Sequence, residues 1–117
     1  MIVRSRADAE PFTTADGSTI RVLLDGEHGT RNQSLAEASL EPRQATQRHY
    51  HAEAEELYVL LDGGGEMEVD GDRREVGPGD AILLPPGAWH QIRAGTEGVR
   101  FLCCCAPPYR DEDTFFS

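Results

Sequence analysis

Apolar and polar residues alternate over short stretches along much of this chain, and glycine or proline interrupts the pattern at close intervals. The clearest stretches rich in β-forming residues are residues 20–24, 57–61, 66–69, 81–84 and 99–105. Because side chains in a strand point to opposite faces in turn, this pattern predicts β-strands. The 12 glycines and 7 prolines favour many strands joined by turns over a helical bundle.

Pairs of aspartate and glycine mark the predicted turns. They occupy residues 16–17, 25–26, 62–63, 70–71 and 79–80. Such pairs favour tight turns because glycine tolerates a positive φ and aspartate hydrogen-bonds to its own backbone. The pair Asp70-Gly71 separates residues 67–69 from residues 73–76, and both segments have the composition of strands. We therefore predict a β-hairpin at this turn.

Residues 34–41 fit two kinds of secondary structure. Ser34 and Glu37 have the spacing of a helix capping box, but Pro42 would end such a helix after about two turns, which is marginal in isolation. The same segment also alternates, with apolar residues at positions 36, 38 and 40 and polar residues at 37, 39 and 41. This period of two predicts a strand, which we prefer over the helix.

The chain has 117 residues, which corresponds to one domain that can bury one hydrophobic core. We predict a single domain over residues 1–117, with its core at about residues 20–109. Residues 1–10 and 111–117 are predicted to be tails. No internal repeat and no low-complexity segment divides the chain.

The charge of the chain excludes some partners. Its 11 cationic residues, all arginine, are outnumbered by 21 acidic residues, which gives a net charge of −10. Such a charge repels nucleic acid and anionic membranes, so neither is expected to bind. No apolar run approaches the roughly 18 residues of a membrane helix. Residues 1–11 lack the apolar stretch of a secretory signal, so we predict a cytoplasmic location.

Four residues have the spacing of metal ligands. His49 and His51 are two apart, so on a strand their rings project from the same face. Glu56 would begin the next strand, and His90 follows a rigid Pro-Pro-Gly turn that can deliver its ring to the same centre. Three imidazoles and one carboxylate suit Fe(II), Mn(II), Co(II), Ni(II) or Zn(II). An isolated pair of histidines on a strand, by contrast, is more often only hydrogen-bonded at the edge of a core.

The spacing of these residues resembles the two signature motifs of the cupin superfamily. The motifs read here as His49-x-His51-x4-Glu56-x6-Gly63 and Gly79-x5-Pro85-x-Gly87-x2-His90. The resemblance extends over about residues 33–109 and implies a double-stranded β-helix, which is a small jelly-roll barrel. It also implies that His49, His51, Glu56 and His90 bind a divalent metal ion inside the barrel, near one mouth.

Two positions depart from the motifs of the family. Arg43 stands where a glycine usually precedes the first histidine, and Ala94 stands where an asparagine usually follows the last one. Both are expected in turns away from the ligands, so the departures should affect loop conformation and pocket shape more than metal binding. The same spacing selects Glu56 as the ligand rather than Glu55, which is expected to point outward as a solvated charge.

Alternation adds candidate substrate-binding residues to the ligands. On an extended strand, Gln47 would lie on the same face as His49, and Tyr58 on the same face as Glu56. Phe101, Cys103 and Cys105 share one face of their strand and are expected to point into the barrel, with Cys104 on the opposite face. The candidates for substrate contact are thus Gln47, Tyr58, Phe101 and Cys103. The three consecutive cysteines cannot form a disulfide framework, so they are predicted to be reduced thiols.

These features predict a metalloenzyme that acts on a small organic substrate, with Fe(II) or Mn(II) favoured and zinc, nickel or cobalt possible. Dioxygenase chemistry is favoured over isomerisation, because no second carboxylate shares the inward phase and could act in an acid–base pair. Two alternatives stay open: a metal-dependent sugar or keto-acid isomerase or epimerase, and a non-catalytic cupin that binds a small molecule.

Residues 57–61 are apolar on both faces, which predicts a two-fold homodimer.

Overall fold

The computed structural model describes residues 1–117 as an all-β fold in which nine strands form one curled sheet. The strands are β1 (Phe12–Thr13), β2 (Thr19–Leu24), β3 (Ser34–Leu40), β4 (His49–His51), β5 (Glu55–Val69), β6 (Asp72–Val76), β7 (Ala81–Leu84), β8 (His90–Ala106) and β9 (Thr114–Phe116). Three 3₁₀ helices of three residues each lie at Arg6–Asp8, Gly26–His28 and Asp111–Asp113. None of these helices could span a membrane. The predicted all-β class is confirmed.

The two longest strands of the barrel, β5 and β8, pair with each other. They run antiparallel from the pair Glu55–Ala106 at one end to the pair Val69–His90 at the other. Register shifts interrupt this ladder near Gly63, whose φ is 68°. A β-carbon at Gly63 would overlap the carbonyl oxygen of Gly98. The predicted turn at residues 62–63 is therefore wrong: the glycine forms a bulge inside β5, where two backbones approach closely and the strand bends.

The inner faces of β3, β5 and β8 supply most of the hydrophobic core. Its ten buried members are Ala38, Leu40, Tyr58, Leu60, Met67, Leu84, Ile92, Ala94, Val99 and Phe101. The strand predicted over residues 34–41 is confirmed as β3, which pairs with β2 and β8. The hairpin predicted at Asp70-Gly71 is also confirmed, since β5 and β6 pair up to Val69 and Asp72.

The two departures from the motifs have different structural outcomes. Arg43 has a φ of 65°, the left-handed conformation that favours glycine, so the loop keeps this backbone shape without the glycine. Ala94 lies within β8 rather than in a turn, which corrects the expectation for that position. Its side chain is buried, and its backbone N–H donates to the carbonyl of Gln44. A small residue therefore fits the core at this point.

The amino-terminal segment is packed against the barrel, so residues 1–10 are not a free tail as predicted. The side chain of Arg6 donates to both carboxylate oxygens of Glu37, at 2.8 and 2.9 Å, and Arg100 contacts the same carboxylate at 3.2 Å. Burial alone would raise the pKa of Glu37, but the two guanidinium groups hold that pKa below its usual value. Arg4 anchors the segment further by donating to the backbone of β2.

The carboxyl-terminal segment is also part of the fold, and the predicted tail at residues 111–117 is wrong. Strand β9 pairs with β4, so His49 lies opposite Phe116 and His51 lies opposite Thr114. The buried carboxylate of Asp113 accepts hydrogen bonds from the backbone N–H groups of Glu53 and Ala54, at 2.9 and 3.0 Å. This segment therefore holds both β4 and the loop that leads to β5.

Replacing Asp113 with alanine is expected to lower the free energy of unfolding by about 1–3 kcal/mol, because backbone donors in the β4–β5 loop lose their acceptor. Urea denaturation of both proteins measures the difference. Asp111→Ala is the matched control, since the exposed Asp111 carboxylate accepts from the hydroxyl of Tyr109 but holds no part of that loop. Equal losses in the two variants would contradict the assigned role of Asp113.

Candidate metal centre

Three strands bring the four predicted ligands together. His49 and His51 lie on one face of the short strand β4, and β4 pairs with β8 at the position where His49 faces His90. Glu56 lies at the start of β5 and alternates with the exposed Glu55, which points outward as expected. All four side chains are buried, each at most 5% exposed. This arrangement follows from the period of two within β4 and from the long ladder between β5 and β8.

Hydrogen bonds orient each imidazole ring. The Nδ1 atoms of His49 and His90 lie 2.7 and 3.0 Å from the backbone carbonyls of Gln47 and Ala88, and Nδ1 of His51 lies 3.3 Å from the carbonyl of Asp113. A carbonyl can only accept, so each Nδ1 carries the proton and donates it. The Nε2 atoms are then left with free lone pairs, as metal-binding histidines require.

The donor atoms converge and two of them lack partners, which tests whether a divalent cation fits. The ligand atoms of the three histidines lie within 4.8 Å of one another. Oε1 of Glu56 lies 3.3 Å from Nε2 of His51 and 3.6 Å from Nε2 of His90. Both Glu56 Oε1 and His90 Nε2 are buried without a hydrogen-bond partner. A buried polar atom without a partner is energetically unfavourable. These donor atoms therefore fit a cation that they would share.

The pKa values at the centre follow from burial and from the single carboxylate. Burial, together with the neighbouring His49, lowers the pKa of His90 to about 4. Burial also opposes charge on His51, but the negative charge of the adjacent Glu56 carboxylate outweighs it and raises the pKa of His51. Burial opposes charge on Glu56 as well, and His51 nevertheless holds the pKa of Glu56 below its usual value.

Acid is therefore expected to weaken the binding of a divalent ion. A ligand imidazole must be neutral to bind, so protons compete with the ion. Since the pKa of His51 is raised, this competition begins above the ordinary value of about 6.5 and grows as the pH falls. Calorimetric titration with Mn(II) should show affinity falling continuously from about pH 8 to about pH 5. Constant affinity over this range would contradict a site made of histidines.

The centre opens into a cavity of about 100 Å³. Three of the four residues expected to contact substrate, Tyr58, Phe101 and Cys103, line this cavity. Gln47 does not line it: its side chain is exposed, because β4 begins only at His49 and the alternation does not extend back along the chain. No arginine or lysine lines the cavity, whereas the carboxylates of Asp16, Asp25 and Glu56 do.

Asp16 is a candidate functional residue that sequence reasoning missed. Its Oδ1 accepts from the hydroxyl of Thr14 at 2.7 Å and from the backbone N–H and hydroxyl of Ser18 at 2.8 and 2.6 Å. Its Oδ2 lies 3.9 Å from Nε2 of His49. In the sequence, the pair Asp16-Gly17 predicted only a turn, so the carboxylate of Asp16 was not considered for the site. Residues 15–17 form a turn before β2 begins at Thr19, so no strand alternation extends to Asp16 and no local signal could have placed it on the cavity side.

The cysteines follow the predicted alternation. Cys103 and Cys105 line the cavity together with Phe101, whereas Cys104 lies on the other face and contacts Gln33. No disulfide is formed. Burial, followed by the charge of Glu56, raises the pKa of both cavity thiols, so they stay protonated at neutral pH.

Comparison with known proteins gives matches over most of the chain. The model of the Cupin domain family matches residues 36–105. An uncharacterised protein of Methanocaldococcus jannaschii is 40% identical over 116 residues, which cover 97% of this chain and 93% of that protein. Dimethylsulfoniopropionate lyase of Ruegeria pomeroyi is 35% identical over 69% of this chain. Gentisate 1,2 dioxygenase 1 of Aquipseudomonas alcaligenes is 30% identical over 71% of it. The matches span 53% of the lyase and 26% of the dioxygenase.

Solved structures share the fold. The polyketide cyclase RemF of Streptomyces resistomycificus superposes with a TM-score of 0.81 and 28% identity, over 97% of this chain and 89% of that one. An RmlC-like cupin from Shewanella frigidimarina superposes with a TM-score of 0.79 and 16% identity, over 94% and 93% of the two chains. The predicted jelly-roll barrel is thereby confirmed.

Proposed function

Since this chain belongs to the cupin domain family, we propose that it is a divalent-metal-dependent enzyme that moves a proton on a small organic substrate, as a lyase or an isomerase. The observation that carries this proposal is the carboxylate of Asp16, which lines the cavity and lies 3.9 Å from Nε2 of His49. The sequence had favoured dioxygenase chemistry because no second inward carboxylate was visible. Asp16 removes that reason.

His49, His51, Glu56 and His90 would hold the ion, as the two unpartnered atoms of the site support. When bound, the ion would polarise a substrate carbonyl or carboxylate and so acidify the adjacent C–H bond. The site would have a net charge of about +1, because only Glu56 among the four ligands is charged at neutral pH. Fe(II) and Mn(II) stay our preferred ions, and Zn(II), Ni(II) and Co(II) suit the same donors.

Asp16 would act as the general base. Three donors hold its Oδ1, so only Oδ2 is free to face the substrate. A fixed carboxylate beside an acidified C–H can take the proton from carbon. In an isomerase the same proton returns to a neighbouring atom; in a lyase the electron pair forms a double bond and expels a group from the next carbon. Neither reaction needs an external oxidant.

The charge of the cavity limits the substrate. Every ionisable residue that lines the cavity, apart from the histidines, carries or can develop negative charge. Without arginine or lysine, a phosphate group would meet no protein cation to bind it. The cavity of about 100 Å³ also favours a small molecule. We infer that the substrate is a small organic molecule with one oxygen group for the ion, rather than a sugar phosphate.

The relatives support both this proposal and a second one. The similarity to the lyase of Ruegeria pomeroyi supports the lyase form of this proposal. The similar gentisate dioxygenase and the three-histidine cluster keep a dioxygenase as the second candidate. The two activities differ in one measurable quantity, because only the dioxygenase consumes O2.

A solvent-exchange experiment tests the proposal. The Mn(II)-loaded protein is incubated in D2O with a panel of hydroxy acids, keto acids and β-substituted acids, and NMR detects deuterium at the carbon beside the carbonyl. We expect metal-dependent exchange or elimination with at least one compound and no O2 uptake. Metal-dependent O2 uptake by the Fe(II)-loaded protein, without exchange, would instead favour the dioxygenase.

The protein is further proposed to act as a homodimer. Leu57, Val59 and Leu83 lie on the outer face of the paired strands β5 and β7 and are 45%, 39% and 54% exposed. An apolar patch of this kind on a barrel is typical of an interface. Light scattering at micromolar concentration should give the mass of a dimer, and Val59→Lys should shift it towards a monomer. A monomeric mass for the unmodified protein would contradict the proposal.

A further inference from the structure

The thiol of Cys105 lies directly against the carboxylate of the metal centre. Cys105 on β8 faces Glu56 on β5 in the register of the sheet, so their side chains point to the same side. The Sγ atom donates to Oε2 of Glu56 at 3.0 Å, in a contact that is fully buried.

The two oxygens of Glu56 therefore have different surroundings. Oε2 has a protein donor, the Cys105 thiol, whereas Oε1 is buried without one and faces His51 and His90. A hydrogen bond to one carboxylate oxygen limits rotation of the group and leaves the other oxygen directed at the three rings.

We propose that Cys105 is a positioning residue for the metal centre: its S–H holds Glu56 so that only Oε1 is presented to the ion. This inference rests on the proposed metal site. Without the thiol, Oε2 would be a buried acceptor with no partner, and the carboxylate could turn away from the rings or present both oxygens. Partners of metal ligands typically affect affinity about 10- to 100-fold.

Calorimetric titration with Mn(II) and the visible spectrum of the Co(II)-loaded protein test the consequence. Cys105→Ala and Cys105→Val both remove the donor, and valine keeps the volume should the alanine variant fold poorly. Each is expected to weaken Mn(II) binding about 10- to 100-fold and to change the Co(II) spectrum. Cys105→Ser keeps a donor and should restore both properties. Cys103→Ala is the matched control, because Cys103 lines the same cavity without bonding to Glu56.

The hydrogen bond can also be tested without metal. The infrared S–H stretching band of Cys105, assigned by its loss in Cys105→Ser, should lie at lower frequency than the band of a free thiol. Glu56→Gln should shift it back, since a neutral amide is a weaker acceptor. A band at the free-thiol position would overturn the proposed hydrogen bond even if metal binds. Equal weakening of metal binding in Cys105→Ala and Cys103→Ala would overturn the positioning role. Failure of the unmodified protein to bind any ion would instead overturn the metal site itself.

Discussion

Replacing His90 with alanine is expected to weaken divalent-ion binding by more than about 100-fold, since even partners of ligands change affinity by up to about that factor. His90 is buried at the centre, and its Nε2 has no other partner in the protein. The change removes one of three neutral donors and leaves a small polar space near the cavity, which water can fill. Calorimetric titration with Mn(II) measures the loss, and far-ultraviolet circular dichroism checks that the sheet remains.

His28→Ala is the control for His90→Ala. His28 lies in the 3₁₀ helix after β2, where its ring contacts Asp25 rather than the other histidines. This variant should bind Mn(II) with the affinity of the unmodified protein. If His90→Ala also kept that affinity, the ion would bind elsewhere and the assignment of the four ligands would be wrong.

Replacing Asp16 with asparagine is expected to slow metal-dependent solvent exchange about 100- to 10,000-fold, the usual contribution of a general base. The asparagine oxygen can still accept from Thr14 and Ser18, so the loop keeps its hydrogen bonds. Only the group that faces His49 changes, from an oxygen that can take a proton to an amide that cannot. The exchange rate is measured by NMR in D2O on the substrate found in the panel, and Mn(II) affinity is measured in parallel.

Asp25→Asn separates the loss of a base from the loss of a charge. Asp25 also lines the cavity, so both variants remove one negative charge from it, but only Asp16 is placed beside the histidine cluster. The Asp25 variant should change the exchange rate by less than about tenfold, well below the effect of a lost general base. Similar rates in the two variants would show that charge alone matters and would remove Asp16 from its catalytic role.

Local patterns predicted most strands and the grouping of the candidate ligands. Residues 34–41 were identified as a strand because the period of two persists over the whole segment, and β3 confirms it. The convergence of His49, His51, Glu56 and His90 was expected from the resemblance to the cupin motifs, and in the structure their donor atoms come together. Metal binding by these residues stays a prediction.

The wrong predictions share a cause, because each rests on a local sequence pattern that is compatible with two different structures. Asp62-Gly63 has the composition of a turn, but the same positive φ of glycine also serves a bulge inside β5. Gln47 would share the inward face of His49 only if the strand extended back to residue 47. In the structure β4 begins at His49, so Gln47 lies outside it. The polar and acidic ends were predicted to be tails, yet Arg6 and Asp113 attach them to the barrel.

The sequence by itself determined which face of each strand a side chain occupies, because alternation depends only on the extended backbone. Hence the shared side of His49 and His51, the outward Glu55 and the inward Cys103 could be predicted. Only the tertiary structure decided which strands meet and in what register. Asp16 lies close to His49, and Cys105 lies close to Glu56, although the two members of each pair are far apart in the chain. Such contacts depend on the curling of the whole sheet and its bulges, which no local pattern contains.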